Sequence, residues 1–361
     1  MQKQYNAPFE LALIRHDGES YLYEPRNEKT WPGELLENAL LVRILGFCEA
    51  PQNEEDIIAF IKESANCDLS AADATFQELL DSELLCAHKE QDALFNGKDG
   101  WHDKAWDHAL RFHAHTNEQK KTDYSSDPKG LGDKALMQQY VEAEMQPSSY
   151  KIFENAEIIS LPKTEFPQAD PFGKIVEGEL YKDNSAPMNI GLFSKFLELG
   201  YGETGFRKMP VTGVHVGKTV PSGGSRHPTE VYPIVLDVEG VDNGIYHYNV
   251  KDHSLECILK GSFSDFVLKN LIRHKDRLSF NPKVVFMYTI IFERSMFRYR
   301  ESRSYRVMHY DLGHILQNTS YLARSMRQKC YRNYSLNEEE VEKVLNLDAL
   351  HESAMAVAAI G

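Results

Sequence analysis

The stretch Pro221-Ser222-Gly223-Gly224-Ser225-Arg226-His227-Pro228-Thr229-Glu230 runs directly into Val231-Tyr232-Pro233-Ile234-Val235-Leu236. Two adjacent glycines between serines carry no Cβ, so their backbone can come close to a ligand. The flanking hydroxyls, Arg226 and His227 offer donors suited to phosphate or carbonyl oxygens. The same residues also read as a polar, glycine-rich turn before a buried strand. Local chemistry leaves both readings open.

Outward from this turn, the second half of the chain alternates helical and strand patterns. Ile190 to Leu199 is an amphipathic helix stopped by Gly200-Tyr201-Gly202. Val231 to Val238 is a strand, and Gly244 to Asn249 with His253 to Ile258 reads as a hairpin. Lys283 to Phe292 is almost wholly apolar, as a central strand buried on both faces requires. Asp311 to Met326 and Glu338 to Leu345 carry helical stripes, and Ser353 to Gly361 is a small-residue strand. Helices mixed with a largely antiparallel sheet imply an α+β domain.

The N-terminal part has a different character. Leu11 to Ile14 and Tyr21 to Tyr23 are short β runs around the turn His16-Asp17-Gly18-Glu19. Three helices follow: Glu34 to Phe47 with Leu36, Leu40, Ile44 and Phe47 on one face, Glu54 to Ser64, and Ala71 to Ser82. The layout is that of a small winged-helix domain closing at Glu83-Leu84-Leu85-Cys86. Residues 1–90 are thus expected as one module, 91–150 as a helical connector and 151–361 as the main domain. In the connector, His113 and His115 would serve as metal ligands only beside a third; the helical phase of Trp106, Ala109, Leu110 and His113 favours packing. Thr116 to Asp133 is charged and reads as a loop.

Composition narrows the function. The 361 residues are 42% hydrophobic and 11% aromatic, enough for more than one core. Acidic residues outnumber basic ones, 54 to 40, giving a net charge of -14 and arguing against general nucleic-acid binding. No apolar run reaches the roughly 20 residues needed to span a bilayer. The start MQKQYNAPFE has no secretion-signal layout, so a cytoplasmic protein is expected. Cys48, Cys67, Cys86, Cys257 and Cys330 are scattered and odd in number, which disfavours both a disulfide framework and a zinc site.

Four segments, in order, carry a resemblance to the SagB-type (McbC-like) peptide dehydrogenases, a branch of the FMN-dependent nitroreductase fold. They are PSGGSRHPTEVYPIV (221–235), GIYHYNVKDHSLE (244–256), RYRESRSYRVMHYDLGH (298–314) and the terminal AVAAIG. The N-terminal module resembles the PqqD-like recognition elements of such enzymes, whose edge strand pairs with a precursor peptide. The resemblance implies a nitroreductase-like FMN domain, its central, mostly antiparallel sheet flanked by helices, with a winged-helix domain before it. It implies a homodimer that binds FMN, with Pro221, Ser222, Gly223, Gly224, Ser225 and Arg226 along the flavin. Its usual reaction oxidises thiazoline or oxazoline rings of a ribosomally made peptide to azoles, alongside a cyclodehydratase. A base takes the Cα proton, and the reduced flavin is recycled by oxygen.

Two departures leave the assignment open. The Arg-rich phosphate segment of the fold has no counterpart in Lys174 to Lys182, so Arg226, Arg303 or Arg306 would have to compensate. The Lys-Tyr pair of azoline-oxidising members has its nearest match in Arg298-Tyr299. Tyr299 is then the better acid/base candidate and Tyr305 the second, while Arg298 anchors an anion or steadies a phenolate. The whole run also reads as a solvated loop. His314 is expected at a helix start, as a cap or facing the flavin, and Glu230 is expected to pair with Arg226. Two alternatives stand beside azoline oxidation: flavin-dependent oxidation or reduction of another peptide side chain, and a non-catalytic peptide-binding scaffold.

Overall fold

The computed structural model describes residues 4–7, 11–24, 29–87, 99–116, 130–163, 187–272 and 275–361. They form two compact units, Met1–Thr122 and Asp123–Gly361. The segment expected as a connector is therefore shared between them. Most of the expected loop at Thr116 to Asp133 and all of Lys174 to Lys182 lie outside the described residues.

In the first unit, β1 (Gln4–Asn6) pairs with β5 (Gln52–Asn53) and β6 (Cys86–Ala87). The strands β2 (Ala12–His16), β3 (Glu19–Glu24) and β4 (Lys29–Pro32) make a second antiparallel sheet with β2 at one edge. Helices α1 (Ala39–Phe47), α2 (Glu54–Ala65) and α3 (Leu69–Asp81) pack Ile44, Ile57, Ile61 and Phe76 into one core with Leu22 and Trp31. The first helix differs from expectation. Gly33–Glu37 is a tight 3-10 turn, and Asn38 caps α1 by accepting from the backbone amides of Leu40 and Leu41. That restart shifts the helical phase, so Leu41, Ile44 and Leu45 are buried and Leu36 is exposed. Beyond α4 (Asp99–His102), α5 (Asp107–Thr116) buries Leu110 and Ala114, and His115 meets the Tyr23 hydroxyl at 3.3 Å. No group of metal-ligating side chains occurs among the described residues.

The second unit is built on a seven-stranded antiparallel sheet. Its order is β14 (Cys330–Asn333), β15 (Glu352–Ile360), β13 (Val284–Ile291), β10 (Thr229–Val235), β11 (Gly244–Asn249), β12 (Ser254–Lys260) and β7 (Glu157–Ser160). Every residue of β13 and β10 is buried, as their apolar runs require. Helices α7 (Ile190–Tyr201) and α9 (Ser304–Ser325) pack one face, where Phe193, Phe196, Leu312 and Leu316 meet Phe286 and Tyr288. The short α10 (Glu338–Leu345) buries Val341 and Leu345 in a second cluster with Val285, Met287 and Val357. Further helices of this unit include α6 (Leu131–Ala143) and α8 (Glu293–Met296), and β8 (Glu203–Met209) with β9 (Gly213–Lys218) forms a separate hairpin. No helix among the described residues is long and apolar enough to cross a membrane.

The long helix starts seven residues earlier than expected. Residues 298–310 contain no glycine or proline to delay it, and Ser304 already begins α9. His314 thus lies mid-helix and exposed, neither capping nor facing the cleft described next.

Candidate active site

The Gly-rich turn lies between β9 and β10 and is fastened from below by α9. Asp311 accepts from Ser222 Oγ at 2.6 Å and from the Gly223 amide at 3.1 and 3.2 Å. Ser222 Oγ in turn accepts from the His227 amide at 2.9 Å, closing the turn. Gly224, Ser225 and His227 all adopt left-handed backbone, with φ of 58°, 54° and 45°. For the two non-glycine residues this carries strain, of the kind that collects at functional sites. The glycines answer to the protein rather than to open space: a Cβ on Gly223 would meet Val307 at 2.5 Å, and one on Gly224 would meet Tyr299 Oη at 2.1 Å.

Above the turn is a cleft lined by Lys218, Pro221, Ser222, His227, Thr229 and Asp311, with Tyr201 and Glu230 deeper. It continues past Ser225 to Phe206 and Arg207 on the hairpin. Arg207 reaches Ser225 Oγ at 3.5 Å. The structure brings Pro221, Ser222 and Ser225 to the cleft. Gly223, Gly224, Arg226, Arg303 and Arg306 are not among its lining residues, nor are Arg298, Tyr299 and Tyr305. Arg298 is ion-paired with Asp133 and lies over the Tyr299 ring, 4.9 Å from its centre. Tyr305 is exposed and stands edge-on to His309.

The expected Arg226–Glu230 pair is replaced by a larger network. Glu230 binds Arg294, and its second oxygen lies 2.8 Å from His247 Nε2. His247 Nδ1 meets Glu256 at 2.7 Å, and Asn249 donates to that same carboxylate at 2.9 Å. Arg294 also donates to the carbonyls of Ser148 at 2.9 Å and His227 at 3.1 Å. Strand alternation explains the change of partner. Glu230 points inward beside its β11 neighbours, while Arg226 precedes the strand and keeps a buried Nε without a hydrogen-bond partner.

Burial and neighbouring charge set the titrations. Burial alone would raise Glu230, but Arg294 and then His247 hold it well below the usual carboxylate range. Burial opposes the charged His247 ring, yet its bonds to Glu230 and Glu256 outweigh that and raise its pKa. His227 is pushed down to about 3, first by burial and then by Lys218. Lys218 is pulled down to about 8 by burial, with Glu230 opposing and Arg294 assisting. Burial raises Asp311 despite its bonds to Ser222 and Gly223.

The two histidines give stability opposite pH dependences. His247, raised in the fold, contributes stability present below pH 6.5 and lost as pH rises through its folded pKa. His227, depressed in the fold, contributes stability present above pH 6.5 and lost as pH falls toward about 3. In thermal melts across pH, His247→Gln is expected to flatten the alkaline limb and His227→Gln the acid limb. Identical limbs in wild type and variants would refute the assignment.

The donor set fits an anionic, polar, ring-bearing cofactor such as FMN. Thr229 Oγ1, on the cleft wall, is buried without a partner, and Lys218 makes no side-chain hydrogen bond or ion pair among the described residues. Sequence reasoning missed Lys218, Thr229 and Asp311 as site residues. The available signal was weak: Lys218 precedes the motif, Thr229 stands at its end, and Asp311 is one of two acids in the third segment.

An antiparallel α+β core with a Gly-rich turn leading into its central strand defines the class, and the comparisons name it. The Nitroreductase family model matches residues 184–361, so this part of the chain is a nitroreductase-fold domain. It superposes with a TM-score of 0.50 on a putative nitroreductase from Anabaena variabilis, 22% identical, covering 69% of this chain and 46% of that one. Among named proteins, the chain is 36% identical over 234 residues to the trifolitoxin-processing protein TfxB of Rhizobium leguminosarum bv. trifolii, covering 62% of each. It is 29% identical over 140 residues to the microcin B17-processing protein McbC of Escherichia coli, covering 37% of this chain and 50% of that protein. The chain thus matches only part of the length of either relative. The McbC-like resemblance carried by the sequence segments holds.

Proposed function

We propose that the chain is an FMN-dependent oxidoreductase of ribosomal peptide maturation, oxidising azoline rings of a precursor peptide to azoles. The observation that carries this reading is the cleft over the Gly-rich turn, whose Thr229 hydroxyl and Lys218 amine have no hydrogen-bond partner among the described residues. Support comes from the two peptide-processing relatives. Ser222, Thr229 and the turn backbone would hold the flavin ring, and Arg207 with Ser225 its phosphate. Bound there, the flavin would supply a two-electron acceptor. Asp311 fixes the turn, and the apolar walls Val220, Val231 and Ile315 limit water. The leader of the peptide would add to the β2 edge, where Leu13 and Ile14 are exposed. A homodimer and a partner cyclodehydratase complete the proposal.

Titration of the purified protein with FMN tests it, followed by incubation with an azoline-bearing peptide. Saturable quenching of flavin fluorescence and a peptide lighter by two hydrogens are expected. A protein that takes up no FMN would refute the enzyme reading. One that binds FMN but leaves the ring intact would move the substrate to another peptide side chain.

A further inference from the structure

The flavin reading leaves open which side chain moves the proton, and the cleft itself narrows the choice. Its described lining holds five side chains that lose a proton within an accessible range: Tyr201, Lys218, His227, Glu230 and Asp311. Tyr201 is committed elsewhere. Its hydroxyl lies 2.8 Å from both Tyr288 and Thr319, and burial pushes its pKa well up. Glu230 is held by Arg294 and His247. Asp311 is occupied by Ser222 and Gly223. His227 is neutral but a feeble base, since a group protonated only near pH 3 has little proton affinity at neutrality. Lys218 remains. It ends β9, three residues before Pro221, and lines both the deep cleft and its outer extension.

We infer that Lys218 is the proton acceptor of this cleft, acting as a neutral amine on the Cα–H of the peptide-borne ring. This rests on the flavin reading above. The Cα proton passes to the Lys218 nitrogen, which becomes an ammonium. A bound oxidised flavin would accept the Cβ hydrogen with its bonding pair, and the ring would gain one carbon–carbon double bond. The surroundings suit the task. Burial disfavours the ammonium and the Arg294 charge adds to this, while Glu230 and Glu203 oppose it, so that amine and ammonium are both populated near neutral pH. Arg298 could not do this, because a guanidinium stays protonated. Lys218 closes the strand that leads into the Gly-rich motif, so the turn that Asp311 fixes also sets where the amine stands.

Three measurements test the assignment. In pulse acylation of the protein without flavin or peptide, read by mass spectrometry, the Lys218 peptide is expected to reach half-maximal reactivity near pH 8, well below surface lysines. The FMN affinities of Lys218→Arg and Lys218→Met are measured by fluorescence titration, and turnover is read with each variant saturated with flavin. Both are expected to lose azoline turnover by about 100-fold or more. The wild-type rate should climb with pH through the same midpoint found by acylation. A Lys218 midpoint like that of surface lysines, or full turnover by flavin-loaded Lys218→Arg, would overturn the inference while leaving the flavin reading intact. Failure of wild type to take up FMN would overturn the flavin reading, and the catalytic step with it, whatever the acylation midpoint.

Discussion

Arg294→Met is expected to cost about 3–5 kcal/mol of stability, because it strips a buried carboxylate of its cation. Arg294 and Glu230 are 4% and 3% exposed, so water cannot replace the lost partner. With Arg294 present, the buried charges of Glu230, Glu256, His247⁺ and Arg294 cancel; without it, one negative charge is left over in the sheet. Arg294 also ties the Ser148 carbonyl to that of His227, so the left-handed end of the Gly-rich turn loses its anchor. The midpoint of thermal unfolding is expected to fall by roughly 10 °C. The double variant Arg294→Met/Glu230→Gln should recover a substantial part of this loss, since the stranded charge is gone. A pH series gives an independent check. In wild type, Glu230 is depressed, so its contribution is present above the carboxylate range and lost as pH falls. In Arg294→Met the strongest of the groups holding that carboxyl down is gone, so the variant should lose less stability on acidification than wild type does. A variant that melts like wild type, or a double variant no better than the single, would contradict this account.

That network also marks where sequence reading stops. Runs such as Val284 to Ile291 declare themselves, because an eight-residue apolar stretch has few places to go except a sheet buried on both faces. The helices at Ile190 and Glu338 were legible from their apolar stripes, the first also from its stop at Gly200-Tyr201-Gly202. The start of α9 was not. Ser304 to Tyr310 has no continuous apolar stripe, and Arg303 makes no side-chain cap, so nothing local announces the helix that tertiary packing imposes. The phase of α1 was hidden in the same way behind a 3-10 turn. For the site, the Gly-rich turn could be found because its chemistry is contiguous. The partners that give it function could not: Asp311 lies 88 residues beyond Gly223, and Arg294 lies 64 beyond Glu230. A lone lysine in a polar loop reads as solvated, and only its burial beside Glu230 and His227 changes that.

Gly224→Ala is expected to destabilise the domain by about 2–4 kcal/mol, and the same substitution tests what Tyr299 does. Two costs add. At φ 58° an L-residue pays about 1–2 kcal/mol for left-handed backbone. The new methyl would also stand 2.1 Å from Tyr299 Oη and about 3 Å from two ring carbons, so the ring itself must move. It cannot move freely, because the Tyr299 amide donates to Ser295 at 2.9 Å and Arg298 covers its face. Displacing the ring disturbs the turn that Asp311 fixes, so flavin affinity should drop along with stability. In a Tyr299→Ala background the clash disappears and only the backbone cost persists, so adding Gly224→Ala should then cost about 1–2 kcal/mol. If Tyr299 acts by packing, Tyr299→Phe keeps turnover close to wild type, because the ring still fills the space under the turn. If its hydroxyl carries the proton, Tyr299→Phe loses turnover with flavin binding intact, and Lys218→Arg does not. The placement of Tyr299 against Gly224, off the cleft lining, favours packing. Equal penalties for Gly224→Ala in both backgrounds would mean that the ring yields without cost, and the packing role would fall with it.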